Sequence, residues 1–126
     1  MTLVDSSGWI EFFTGGPQAS QYASYLKEPS DVLTPTVVLY EVYKIVKRER
    51  TEEDALVCVA QMQKTGVLPL TERVALDAAD LSLEHGLAMA DAIVYATARA
   101  HDAMLVTSDA DLKDLPGVTY YAKRRR

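Results

Sequence analysis

Short apolar runs alternate along this chain with longer stretches of helical periodicity. Five runs read as strands: Thr2–Val4, Asp31–Thr34, Val67–Leu70, Met104–Thr107 and Val118–Tyr121. Between the second and third, Val38, Val42, Ile45 and Val46 recur at i, i+4, i+7 and i+8, one apolar stripe of a helix. Ala55, Leu56, Val59 and Met62 form the stripe of the next helix, after the acidic start Glu52-Glu53-Asp54 that suits a helix N-terminus. Thr34-Pro35 reads as an N-cap followed by proline at the first helical position, and Thr71 as a second N-cap. Gly66 is expected to end the helix before the third strand, and Gly86 the helix begun at Thr71. Strands alternating with helices imply βαβ units and a mostly parallel five-stranded sheet covered on both faces. No repeat, low-complexity stretch or long linker interrupts the pattern, so residues 1–126 read as a single domain.

Composition changes this picture little. With 126 residues, 48% of them hydrophobic and 25% charged, the chain has the make-up of an ordinary globular domain with a real core. No apolar run approaches the roughly 20 residues that cross a bilayer. The N-terminus lacks the basic stretch and apolar segment of a signal peptide. A single cysteine, Cys58, rules out an internal disulfide and fits a reducing compartment, so a cytoplasmic location without a membrane partner is expected.

Charge is more informative. The formal net charge of −5 argues against a broad basic face for nucleic acid, though not against a small phosphate-cleaving site. Lys44, Lys47, Arg48 and Arg50 cluster after Glu41, and Lys123, Arg124, Arg125 and Arg126 close the chain. Lys44, Lys47 and Arg48 are candidates to steer RNA by neutralising phosphates, with a solvated helix face as the plainer alternative. The basic tail is expected to be mobile and to take no part in chemistry.

The acids carry the chemistry. Asp5 ends the first strand and Asp109 follows the fourth by two residues, so both fall at the carboxyl ends of strands, where open α/β sheets gather functional groups. Glu41 lies among Val37, Val38, Leu39, Tyr40 and Val42, about 9 Å along a helix from Pro35 at ~1.5 Å per residue. Asp91 is set between Leu87-Ala88-Met89-Ala90 and Ala92-Ile93-Val94. Carboxylates in apolar surroundings are paired or bound to a cation. Each could instead cap a turn or make an ion pair, Glu41 with Lys44 and Asp91 with Arg99. Taken together, the four are best explained by a hard divalent metal with oxygen ligands, Mg2+ or Mn2+ rather than Zn2+. Asp111, two residues from Asp109, is ambiguous.

Other chemistries find little support. His85 and His101 have no ligand-like spacing, Cys58 falls on an apolar helix stripe, and Ser6, Ser7 and Ser108 have no histidine partner for nucleophilic catalysis. Gly15-Gly16-Pro17 is a turn with no lysine at phosphate-loop spacing. A receiver-type signalling domain would need a lysine after a late strand, and none stands between Met104–Thr107 and the following Asp109.

The residues also resemble a known family. Leu3-Val4-Asp5-Ser6-Ser7-Gly8-Trp9-Ile10-Glu11, Thr34-Pro35 through Glu41, Leu87 to Ala98, and Leu105-Val106-Thr107-Ser108-Asp109 with the later Leu115-Pro116-Gly117-Val118 are similar, in order, to the motifs of PIN domains, especially VapC-type toxins. The resemblance implies a three-layer PIN-like α/β fold and a Mg2+- or Mn2+-dependent endoribonuclease inhibited by a cognate antitoxin, with homodimerisation expected. Asp5, Glu41, Asp91 and Asp109 match the acidic quartet, and Thr107 and Ser6 match supporting positions. Trp9, Phe12 and Phe13 fall in the region such toxins use to grip an antitoxin helix, although core packing explains some of these as well. Ala88 departs from the usual Ser or Thr cap of the third acidic helix, and Leu112 from a common aromatic. The alternative is a PIN-like module that binds RNA or a partner without cutting.

Overall fold

The protein is described here by a computed structural model covering residues 1–124; Arg125 and Arg126 of the basic tail lie outside the described residues. Its order is β1 (Thr2–Val4), α1 (Ser6–Thr14), α2 (Ala19–Leu26), β2 (Val32–Pro35), α3 (Thr36–Glu49), α4 (Glu52–Met62), β3 (Gly66–Leu68), α5 (Glu72–His85), α6 (Met89–Ala100), β4 (Met104–Thr107) and β5 (Val118–Tyr120). Two 3-10 turns, Pro29–Asp31 and Ala110–Leu112, precede β2 and follow β4. The strands form one sheet ordered β3-β2-β1-β4-β5, and every neighbouring pair is parallel. The sheet is thus wholly rather than mostly parallel.

Strand order sets the position of the functional edge. The chain runs outward from β1 through β2 to β3, then returns to the other side of β1 for β4 and β5. Because parallel crossovers are right-handed, the two sets of connections cover opposite faces and open a crevice between β1 and β4 at their carboxyl ends. The central strands β2, β1 and β4 are short and heavily buried, as the middle of a sheet covered on both faces requires. Leu3, Val4, Val32, Leu105 and Val106 have essentially no exposed surface, and each adds roughly 1.5–3 kcal/mol by leaving water.

Several local readings need correction. The helix after β2 starts at Thr36 with Pro35 as its N-cap, so Thr34 stays in the strand, where its hydroxyl bonds that of Thr65 at 2.6 Å. Pro35 is tolerated at this strand end because its register partner is Leu68 of β3, while β1 pairs only as far as Leu33. Asp31 belongs to a 3-10 turn. Gly66 opens β3 instead of ending α4, which closes at Gln63. The buried stripe of α4 is Ala55, Cys58 and Met62, with Leu56 53% exposed.

Other signals hold. Thr71 caps α5 by accepting from Val74 N at 3.2 Å, and Gly86 closes that helix in the left-handed conformation at φ 67°. Ala88 is the N-cap residue of α6 and offers no side-chain cap. Gly8 meets a steric demand, since a Cβ there would stand 2.3 Å from the ring of buried Tyr22. This close approach lets α2 pack on α1 directly beneath the sheet edge that carries Asp5.

Candidate active site

At the carboxyl edge of β1 and β4 lies a cleft of about 430 Å³ lined by Asp5, Glu41, Asp91 and Asp109, with Ser6 and Ser108 between them. The four acids singled out by sequence therefore share one cleft. Each arrives from a different element: β1 delivers Asp5, α3 Glu41, the first turn of α6 Asp91, and the loop after β4 Asp109.

Asp5 is the anchor. It is only 4% exposed, and its main-chain N–H donates to Val106 O at 3.0 Å, pinning it to β4. One carboxylate oxygen accepts from Ser6 N at 2.8 Å and the other from Thr107 Oγ1 at 2.8 Å. Thr107 Oγ1 in turn accepts from Asp109 N at 2.9 Å, so one buried hydroxyl ties the first acid to the loop carrying the last. Asp109 Oδ1 accepts from Asp111 N at 2.9 Å and closes the 3-10 turn. Beneath this layer Ser108 N donates to Ser7 Oγ at 3.0 Å, and the Ser108 hydroxyl meets the buried Tyr22 hydroxyl. Burial pushes that Tyr22 phenol up from its ordinary value. Thr107 thus hydrogen-bonds both the Asp5 carboxylate and the Asp109 main chain, and Ser6 serves two acids, its N–H on Asp5 and its side chain on Glu41.

The tightest grouping is not the expected quartet. Carboxylate oxygens of Asp91, Asp109 and Asp111 lie within 4.8 Å of one another, so Asp111 joins the cluster that proximity in sequence only hinted at. The electrostatics follow from burial without an ion pair at contact distance. Among the described residues, no lysine, arginine or histidine comes within 4.0 Å of Asp5, Glu41, Asp91 or Asp109. Burial raises the Asp5 carboxyl above its ordinary value against the lowering bonds from Thr107 and Ser6. Burial, with repulsion from Asp5, raises Glu41. Asp91 is pushed up to about 7 by burial first and then by its neighbour Asp109. Concentrated, uncompensated carboxylates of this kind suit a hard divalent cation, whose oxygen-only preference the donor set meets and whose charge would return these acids to their ionised form.

The remaining candidates divide. Arg48 lines the cleft, whereas Lys44 sits over the ring of Tyr40 and Lys47 bonds Glu52 at 3.1 Å, both away from it. Lys123 and Arg124 also line the cleft, so this part of the tail is part of its wall rather than detached from it. Gln18, buried and 104 residues from its partner, holds the Ala122 carbonyl at 2.7 Å, a contact no sequence pattern announces. Trp9 is 3% exposed and stacks on Phe13 with ring centres 5.5 Å apart, so it is a core residue and offers no surface to a partner. Phe12 and Phe13 are half-buried, and Phe13 lines a shallow groove with Val46, Val57 and Cys58. His101 is exposed, with Nδ1 3.0 Å from Thr97 O, and Cys58 is a small buried core residue. Among the described residues no helix is long and apolar enough to cross a membrane.

Comparison with known proteins agrees with this architecture. No curated protein matches the chain in sequence. Among solved structures, a toxin–antitoxin complex from Klebsiella pneumoniae superposes with a TM-score of 0.82 at 24% identity, over 98% of this chain and 100% of that one. VapC20 of Mycobacterium tuberculosis, described as a sarcin–ricin loop cleaving toxin, gives 0.73 at 19% identity over 90% and 92%. VapBC2 of Rickettsia felis, bound to a DNA fragment from its promoter, gives 0.74 at 13% identity over 96% and 97%. At these identities the likeness is one of fold. The family profile described as PIN domain matches residues 2–118, nearly the whole chain, and the protein belongs to the PIN domain family.

Proposed function

We propose that this protein is the toxin of a toxin–antitoxin pair, a Mg2+- or Mn2+-dependent endoribonuclease held inactive by a cognate antitoxin. One observation carries the reading: a PIN domain chain that keeps all four acids in one cleft without a cation partner. The toxin–antitoxin and RNA-cleaving relatives named above support the biological setting.

Asp5, Asp91 and Asp109 are the ligands we assign to the metal, with Asp111 close enough to contribute directly or through water. When bound, the metal supplies a water of lowered pKa and neutralises charge on the phosphodiester. The chain's own residues do the rest. Thr107 fixes the Asp5 carboxylate and the Asp109 backbone in one geometry, so the ligands need no reorganisation. Glu41, set on α3 across the cleft and steadied by the Ser6 hydroxyl, orients the attacking water and can take its proton.

The groove lined by Phe13 and Val57 suits the apolar face of an antitoxin helix. Val57 and its neighbour Leu56 are 62% and 53% exposed, although Leu56 was expected in the buried stripe of α4. A charge introduced by Phe13→Glu in folded protein should release the antitoxin in a co-purification assay, and retained binding would remove this groove from the proposal.

For the activity, purified protein is incubated with total RNA, Mg2+ or Mn2+, and a chelator control. Cleavage should require the metal, and Asp5→Asn should abolish it while leaving the circular dichroism spectrum intact. Undiminished cleavage by that variant would refute the assignment.

A further inference from the structure

We infer that Lys123 and Arg124 are substrate-positioning cations of the acidic cleft, seated there by a clamp from Gln18 to the Ala122 main chain. The inference rests on the ribonuclease reading above and extends it to how the RNA backbone is held.

The seating is built, not incidental. Tyr121 N donates to Thr107 O at 2.9 Å, continuing the β4–β5 pairing one residue beyond the strand. The Tyr121 hydroxyl bonds that of Tyr25 at 2.7 Å, and its ring meets Tyr22 edge-on at 5.8 Å. Buried Gln18 then takes the Ala122 carbonyl through Nε2 at 2.7 Å, while its own N–H is held by Glu11 Oε1 at 2.8 Å. The chain is thereby fixed on three successive contacts up to Ala122, and Lys123 and Arg124 emerge beside Asp5, Asp109 and Glu41. A segment tied to Thr107 is tied to the same residue that orients Asp5.

Charge placement points to an anion in the cleft. Lys123 and Arg124 line the cleft with Asp5 and Asp109, yet among the described residues neither closes to salt-bridge distance on any acid. Both side chains are exposed on the cleft wall, and Arg48 of α3 lines the same cleft. Cations that served only to neutralise the acids would collapse onto them. Held at the rim, they offer charge to a phosphate approaching a floor of carboxylates that would otherwise repel it. An RNA strand, with a phosphate at every nucleotide, fits the rim and floor together.

The test compares wild-type protein with Lys123→Gln/Arg124→Gln, the charge-keeping Lys123→Arg/Arg124→Lys, and Gln18→Ala, using a random-sequence RNA pool and Mn2+. The charge-removing pair should raise KM about tenfold with kcat held within about twofold. It should also flatten the dependence of log affinity on log salt by about 1.4, roughly 0.7 per lost phosphate contact on a single strand. The charge-keeping pair should restore both, and Gln18→Ala should raise KM by a smaller factor. Calorimetric Mn2+ binding should not change in the charge-removing pair, which separates lost RNA contacts from a lost metal. Unchanged KM and salt slope in an otherwise active protein would overturn this inference alone. So would faster cleavage, which would make the tail a plug, or a loss confined to kcat. A wild-type protein that cleaves no RNA with Mn2+ would overturn the ribonuclease reading and this inference with it.

Discussion

Two acidic clefts among the described residues hold their carboxylates in different ways. The larger, about 510 Å³, runs between α5 and α6 and is lined by Asp77, Asp80 and Glu84 with His85, Tyr95 and Arg99. Its acids face water and are answered locally: Asp77 accepts from Arg73 Nε at 3.4 Å, Glu84 pairs with His85 at 3.7 Å, and Arg99 lies over the Tyr95 ring. The Glu84 side chain is 68% exposed. In the smaller cleft Asp5 is 4% exposed, its acids have no cation within salt-bridge distance among the described residues, and they come from four separate elements. A count of carboxylates does not separate the two clefts. Burial without a close ion pair, on supports fixed by the sheet, does.

The largest expected effect tests this contrast with metal. Saturating Mn2+ should raise the melting temperature of the wild type by roughly 10 °C at neutral pH, as binding near a hundredfold above Kd adds about 2.7 kcal/mol. Asp109→Asn should remove most of that rise, whereas Asp80→Asn should leave it intact. A Mn2+ response lost equally in both variants, or in neither, would dissolve the distinction.

How much of this was legible beforehand depends on the range of the interaction. β1 and β4 were read with their true bounds because each is a continuous apolar run stopped by a polar residue, and the acids that follow mark the sheet edge. Glu41 and Asp91 could be placed with them because a carboxylate among apolar helix residues needs a reason. Faces of helices were harder. Lys44, Lys47 and Arg48 lie close together in sequence, yet only Arg48 lines the cleft, while Lys44 lies over Tyr40 and Lys47 bonds Glu52. Leu56 was assigned to the core on spacing alone and is exposed, while Cys58, read as a small residue on the apolar stripe, is buried. Trp9 was left between a docking and a core role, and its stacking on Phe13 decided for the core. The seating of Lys123 and Arg124 was out of reach, since it rests on Gln18 meeting Ala122 across the whole length of the fold.

A second, smaller effect is expected in metal-free protein. Asp91 has a folded-state pKa near 7 against an ordinary 3.8, so between those values the folded chain keeps a proton that the unfolded chain has released. Its contribution to stability is therefore fully present below the ordinary value and lost as pH climbs through about 7. Asp5 and Glu41, also raised by burial, act in the same direction. With a chelator present, Asp91→Asn should gain melting temperature relative to wild type as pH rises from 4 to 7, because asparagine has no charge to develop. A gap between the two proteins that stays flat or reverses over that range would show that the Asp91 environment does not penalise its charge.

The smallest effect belongs to the other cleft and completes the contrast. Arg73 and Asp77 face each other one turn apart on α5, with side chains 85% and 44% exposed. Water screens such a pair, and ordering two long side chains offsets part of the attraction, so Arg73→Ala should cost only about 0.3 kcal/mol. Denaturant unfolding in low and high salt would measure it, with the small loss shrinking further as salt screens the pair. Metal-dependent cleavage should be unaffected, because Asp5, Asp91 and Asp109 do not line the α5–α6 cleft. A loss of cleavage in Arg73→Ala at unchanged stability would mean that the two clefts are coupled through α6, which supplies residues to both. Independence is the outcome the geometry favours, since Asp91 stands in the first turn of α6 while Tyr95 and Arg99 stand one and two turns further on.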